Sequence, residues 1–568
     1  MAILGPGFLV IPGILSRLPP LFLLGDFLRH VFVGRTGNCM SEGEGTPPVV
    51  IVRPETTISG GTAVQEKMIA AARAFADILK PTFGPRGLDK MLYKTDGTTA
   101  VTNDGAKIVA ELMVKHPAAK AFVSLAESQE NSCGDGVTRC LLFCGELLSE
   151  ADRLIRMGLH PLTIVDGFLA ALEIVENKIN NCSKHVDSTA EAVLESIART
   201  ALRGKSADQN IDLFSKLASQ ATSQIIRQIE GNVRANPEDI TMYLQGSGGL
   251  HDSRIISGII IRRRVLLDRL AGNRENVRIA VIGGDLVPRS LSREAEIEVE
   301  NPDQLSQFID EQERSRSLLV DNIVKLNIQA IVVSGEVDRD ILHHLVEEGI
   351  FVAGELDESE LRNLASATGS TIASSSHHLE NSDIGFAKEI NCLRKTATDR
   401  VEDEITIIGG TASQVATIVV GGVEGTAGEE VIRGLHDAIR STTLVVNSGR
   451  IVPGGGSVYA TLSLEIRSAS EERADRARLA MEAFARALDV VPATLVENAG
   501  GDVLDTILAL RASSDGIEPW GINEGGRVEI LDSSIIHPTD TILHGIVGAT
   551  EAACSLLRID QVISARGD

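Results

Sequence analysis

The stretch from Pro81 to Leu148 decides how this chain is read. It runs P-T-F-G-P-R-G-L-D-K-M-L at Pro81–Leu92, T-N-D-G-A-K-I-V at Thr102–Val109 and S-C-G-D-G-V-T-R-C-L-L-F-C-G-E-L-L at Ser132–Leu148. It holds three glycine turns, and each leads into an apolar, helix-like run. Gly134 and Gly136 flank Asp135, and Thr138 opens the helix that follows. Small residues let backbone N–H groups approach an anion, and a helix N-terminus favours phosphate. A carboxylate among phosphate donors is repelled unless a divalent cation lies between them. Asp135 therefore reads as a Mg²⁺ ligand, since such ions are held by one or two carboxylates, phosphate oxygens and water. Asp104, in N-D-G, is a second carboxylate suited to positioning a water or completing the metal shell. Taken singly, any of these is also an ordinary Asp-Gly turn.

The order of the turns is more specific than any one of them. G-P-x-G-x-D-K-M-L, then T-N-D-G-A, then G-D-G-x-T resembles the group II chaperonins, the thermosome and the eukaryotic cytosolic chaperonin. The resemblance runs from about Thr57 to Ile563. It continues through L-H-D-A at Leu435–Ala438, I-V-P-G-G-G at Ile451–Gly456, E-N-A-G at Glu497–Gly500, G-I-N at Gly521–Asn523 and A-T-E-A-A-C-S-L-L-R-I-D at Ala549–Asp560.

Bulk properties agree with a large folded protein. At 568 residues the chain holds three or four domain-sized units. A net charge of −24 argues against a phosphate-backbone binder, and 3% aromatics with one tryptophan argue against base-stacking platforms. No nucleic acid and no membrane partner is expected. Seven scattered cysteines suit a reducing, cytoplasmic setting rather than a disulfide framework. Cys140 and Cys144, at i and i+4, are either a metal pair or buried thiols packed as small hydrophobes.

In chain order, residues 1–40 are apolar, broken by prolines and charges, and unmatched by the resemblance; Met40 is a candidate true start. The resemblance implies a multidomain fold, part all-α and part α/β. A mostly helical equatorial nucleotide-binding domain takes 41–186 and 453–568. A small intermediate domain takes 187–254 and 417–452, its first part reading as a polar helical connector. An α/β apical domain takes 255–416, where β-branched runs at Val277–Ile282, Ala330–Val333 and Ile350–Ala353 alternate with helical stretches. Within it, Asn301-Pro302-Asp303-Gln304 reads as a helix start. Asp310–Ser317 then has no apolar side chain. A helix there must project into solvent or meet a partner, and in the family this is the helical protrusion that forms a lid, here near 301–327.

The resemblance also implies roles. Gly84, Pro85, Gly134, Gly136 and Thr138 would cradle the phosphates of ATP, with Asp135 holding Mg²⁺. Gly455 and Gly456 would lie along the nucleoside, with Asn523 near the base. Asp437 would swing in with the intermediate domain to activate the attacking water, beside Asp104. Three departures stand out. Val137 and Arg139 replace hydroxyl-bearing or small residues around Thr138, His537 replaces an acid near the nucleoside, and Val420-Gly421-Gly422 lacks the family's arginine. The implied function is an ATP-dependent chaperone subunit that encloses unfolded polypeptide in a double ring with like or different chaperonin subunits. The alternative is a chaperonin-like scaffold with weak or absent ATPase.

Overall fold

The computed structural model describes residues 57–60, 62–93, 97, 99–112, 117–263, 272–288, 302–396, 401–410, 413–422, 425–513, 518–531 and 535–564. The unmatched segment 1–40 and the helix-capping Asn301 lie outside these residues. The main body runs from Ile58 to Ile563.

Five helices come first: α1 (Thr62–Leu79), α2 (Gly105–Glu111), α3 (Pro117–Cys133), α4 (Val137–Arg156) and α5 (Pro161–Cys182). Along α4, Cys140, Leu141, Leu142, Phe143, Cys144, Leu147 and Leu148 are all buried, which covers nearly its whole girth. A helix apolar all round belongs at the centre of a core. Cys140 and Cys144 are free, buried thiols, and burial pushes the Cys140 thiol up to about 12. Both lie in the apolar core with Leu141, Phe143 and Leu147, packed as small hydrophobes.

Helices α6 (Glu191–Leu202) and α7 (Ile211–Gln224) follow. The connector read from sequence at 187–254 is neither wholly helical nor simply polar. Leu194, Phe214 and Ala218 are buried with Ile418 and Leu435 in a core of their own. Strand Ile240–Leu244 lies parallel to Ala416–Val420, which pairs on its other edge with Arg254–Ile256. A parallel partner so distant in sequence leaves no local signature.

The α/β unit is a mixed seven-stranded sheet. Its main path is ordered Phe351–Ala353, Ala330–Val333, Gly272–Ile282, Gly385–Thr396, Val401–Gly409, Gly258–Arg263, and Ile372–Ala373 pairs with Gly272–Ile282. Three helices accompany it: α8 (Pro302–Lys325), α9 (Arg339–Glu347) and α10 (Glu358–Thr368). Asp310–Arg314 of α8 are exposed, as their polarity requires, whereas Leu319, Val320 and Ile323 are buried. Arg316 is turned inward, 3.5 Å from Asp338 and 3.2 Å from Asp340 at the start of α9. The helix thus has an apolar foot and a charged, solvent-facing shaft.

Helix α11 (Thr426–Ser448) leads back to the helical body, completed by α12 (Ser457–Glu471), α13 (Ala477–Leu488), α14 (Val490–Asn498), α15 (Val503–Ser513) and α16 (Thr539–Leu557). Leu462, Phe484, Ile542 and Ile546 share one core with Leu141, Phe143 and Phe168. Phe484 meets Phe143 and Phe168 edge-on at 5.3 and 5.8 Å. This core is therefore built from both ends of the chain. Among the described residues no helix is long and apolar enough to cross a membrane.

Candidate functional site

Three helices begin at one cavity, each with a different device. Asp104 caps α2 by accepting from the Ala106 N–H at 3.0 Å. Gly136, at φ +87°, caps α4, so that helix starts one residue before Thr138. Gly456, at φ +76°, caps α12. Side-chain-bearing residues rarely adopt these left-handed angles, and here the glycines let the chain turn sharply into each helix. The first turn of every helix has N–H groups without an intrahelical partner, and its dipole favours negative charge.

Every residue assigned from sequence to the nucleotide or metal site lines this cavity. Gly84 and Pro85 come from the first turn, and Asp104 from the second. Gly134, Asp135, Gly136, Val137, Thr138 and Arg139 come from the third. Asp437 enters from α11, Gly455 and Gly456 from the turn before α12, Asn523 from just after strand Trp520–Ile522, and His537 from strand Ile536–Pro538. Of the departures from the usual pattern, Val137, Arg139 and His537 are part of its wall, whereas Val420-Gly421-Gly422 is not.

Lys205 was missed by sequence reasoning, yet it sits at the electrostatic centre. Its Nζ is 2.5 Å from Asp437 and 3.4 Å from Asp135. Burial works against the ammonium, but Asp437, Asp135 and Asp104 outweigh it and raise its pKa. Asp135 shows the converse. Burial would raise its carboxyl, but Lys205 and Arg139 pull it below the usual range. For Asp437 burial dominates: despite Lys205, and with Asp104 and Asp135 near, its carboxyl is pushed up to about 7. The signal available in the sequence was Arg203-Gly204-Lys205 at the end of a helical run, which resembles an ordinary helix stop.

Arg139 is 6% exposed and its Nη2 has no hydrogen-bond partner. The guanidinium lies under the Gly136 turn, where a Cβ on Gly136 would come within 2.6 Å of Nη2, and it is close to Tyr459. Burial, with Arg139 close by, pushes the His537 imidazole down to about 3, so it is neutral near pH 7. Gln129 buttresses the same turn: its Nε2 donates to the Asp135 carbonyl at 2.9 Å and its Oε1 meets His544 Nδ1 at 2.8 Å.

The donor set suits a hard cation. Asp104, Asp135 and Asp437 bring three carboxylates together, with Lys205, Arg139 and Arg433 as the cations around them. They do not form a closed cage by themselves. Magnesium is commonly held this way, by one or two carboxylates completed by phosphate oxygens and water.

Comparison with known proteins identifies the family. The pattern of the TCP-1/cpn60 chaperonin family matches residues 75–567. A thermosome subunit of Methanopyrus kandleri is 32% identical over 509 residues, covering 89% of this chain and 93% of its own length. One from Pyrococcus horikoshii is 32% identical over 521 residues, covering 91% and 94%. The thermosome subunit beta of Archaeoglobus fulgidus is 30% identical over 523 residues, covering 92% and 95%. With a family match across most of its length and relatives of the same overall extent, this chain belongs to the TCP-1/cpn60 chaperonin family.

Proposed function

We propose that this protein is an ATP-hydrolysing chaperonin subunit that works in a double ring of like or related subunits and encloses unfolded polypeptide in the cytoplasm. The observation that carries the reading is the convergence of the candidate site residues, drawn from several separate stretches of sequence, on one cavity bounded by three helix N-termini. On this reading 41–186 with 453–568 form the equatorial domain, 187–254 with 417–452 the intermediate domain, and 255–416 the apical domain. The charged shaft of α8 would serve as the lid.

The chain's own groups supply the mechanism. The turns at Gly84, Gly134 and Gly136 bring backbone N–H donors to the phosphates, and the α4 dipole favours their charge. Asp135 would hold Mg²⁺, which when bound offsets charge on the transferring phosphoryl group. Asp437 would take up or orient the attacking water, with Asp104 beside it. Lys205 now neutralises both Asp135 and Asp437, so an incoming phosphate would compete for its ammonium and free Asp437 to act. Hydrolysis of this kind depends on positioning and charge more than on covalent chemistry.

Titration with Mg·ATP and steady-state turnover of two variants test the reading. Asp135→Ala should lose nucleotide binding and turnover together. Asp437→Ala should keep binding but lose turnover by a factor on the order of 10² or more, as for a positioned base. Wild-type protein that binds ATP without turning it over would favour the scaffold reading, and equal loss of binding in both variants would refute the assigned division of roles.

A further inference from the structure

Helix α11 carries more than Asp437. Glu430, Arg433, Asp437 and Arg440 recur at i, i+3, i+7 and i+10, so they share one face of the helix. Glu430, Arg433 and Arg440 grip the helical body, while Asp437 faces Lys205. Glu430 accepts from Thr102 Oγ1 at 2.9 Å and pairs with Lys107 Nζ on α2. Arg433 stands 3.6 Å from Asp104 and 3.7 Å from Glu430. Arg440 Nη1 donates to the Asn131 carbonyl at 2.7 Å and the Glu130 carbonyl at 3.3 Å, near the end of α3.

The Lys107–Glu430 pair is the most enclosed grip on this stripe. Its side chains are 11% and 8% exposed, against 21% and 12% for Lys205 and Asp437. It also feeds directly into the site. The Thr102 hydroxyl that donates to Glu430 accepts from the Asp104 N–H at 3.1 Å, and Asp104 caps the helix that bears Lys107.

We infer that Lys107 and Glu430 are positioning residues for hydrolysis: their buried pair docks α11 on α2 and thereby sets how far Asp437 stands from Asp104 and Asp135. The inference rests on the ATP-hydrolysis reading above. Removing one partner of an enclosed pair leaves a charge without compensation, so the contact separates rather than relaxing in place. Glu430 and Asp437 are separated by roughly 10 Å of helix. A rigid rod of that length passes a tilt at one point on to the other. Misplacing a reacting group by about 1 Å costs on the order of 10²-fold in rate.

The test uses the full chain in its assembled form, with Glu430→Gln, Lys107→Met, Lys107→Arg, Asp437→Asn and Lys107→Met/Asp437→Asn. Three quantities are measured: ATP affinity, kcat with KM, and backbone hydrogen exchange over residues 426–440 without nucleotide. Glu430→Gln and Lys107→Met should lose about 10- to 100-fold in kcat, with affinity changed less than about threefold, and should exchange faster along α11. Lys107→Arg should stay within about threefold of wild type. Adding Lys107→Met to Asp437→Asn should cost no further rate, because both act through one carboxylate. Unchanged kcat and exchange in the single variants would overturn the inference, and so would additive losses in the double variant. A wild-type protein without turnover would instead refute the hydrolysis reading, while the exchange measurement would still decide whether the pair docks α11.

Discussion

Gly134→Ala probes the contact between the phosphate-type turn and α11, and its cost can be worked out from the structure. Gly134 has φ +73°, and a Cβ built there would lie 2.6 Å from Arg440 Cβ and 2.8 Å from Arg440 Cδ. The left-handed angle alone costs an L-residue about 1–2 kcal/mol. Arg440 Cβ belongs to the helix frame, so it cannot swing aside as a side-chain tip would. Restoring ordinary contact at about 3.4 Å requires α11 to retreat by roughly 0.8 Å, and overpacking of this kind costs about 1–3 kcal/mol. Asp437 lies one turn away on the same helix and would retreat with it. Gly158→Ala is the control: its φ is +91°, but nothing lies within 4 Å of the added Cβ. Chemical denaturation should therefore show Gly158→Ala destabilised by about 1–2 kcal/mol with normal turnover. Gly134→Ala should lose about 2–5 kcal/mol and 10- to 100-fold in turnover. Equal destabilisation and equal turnover in the two variants would refute the argument that Arg440 fixes α11 against the turn.

Turnover should also depend on pH in a stated direction. The Asp437 carboxyl, pushed up to about 7 by burial, is protonated below that value and cannot accept a proton, so the rate of hydrolysis should rise with pH to near 7 and then level off. Asp437→Asn should abolish that rise; a rise that persists would assign it to another group. The same shift makes folded protein bind a proton that the unfolded chain releases between about 4 and 7, so this group's contribution to stability should fall as pH rises through that window, and an equilibrium unfolding series at several pH values checks the sign. Arg139→Met should weaken Mg·ATP binding by about 10- to 100-fold while stabilising the nucleotide-free protein, because the unpartnered Nη2 then no longer needs an anion; a thermal-shift titration with an unaltered ATP midpoint would refute this. Removing Gln304–Ser315, which spares the inward Arg316 and the buried foot at Leu319 and Val320, and closing the gap with a short glycine linker should leave turnover measurable but abolish protease protection of an enclosed client, and protection that survives would make the shaft of α8 merely a solvated surface.

Local sequence carried most of the site because its parts are glycine turns, where backbone geometry and residue type are tied together. Gly134, Gly136, Gly455 and Gly456 have positive φ, and each precedes an apolar helix that a periodic pattern reveals. The central α4 was legible for the same reason: a run apolar on all sides admits few placements. Lys205 was not legible, because its importance comes from three carboxylates supplied by distant segments rather than from its neighbours in sequence. The intermediate-type core was misread as a connector for a similar reason. The pairing of Ile240–Leu244 with Ala416–Val420 joins strands that sequence places far apart. Arg316 shows the limit of composition. It lies in a stretch with no apolar side chain, yet it is turned inward to the acidic start of α9.

The helical core shared by α1–α5, α12–α14 and α16 also sets a timetable for the protein's own birth. A ribosome delivers α5 and then roughly 275 further residues before α12 emerges, a delay of about 14–55 s at translation rates of roughly 5–20 residues per second. Throughout that interval Phe143 and Phe168 lack the Phe484 that packs against both, and the apolar girth of α4 is without half its cover. The intervening α/β sheet, with its own cores, can meanwhile close independently. The nascent chain is thus a finished middle attached to a sticky, half-built base, and it needs shielding until its last hundred residues arrive.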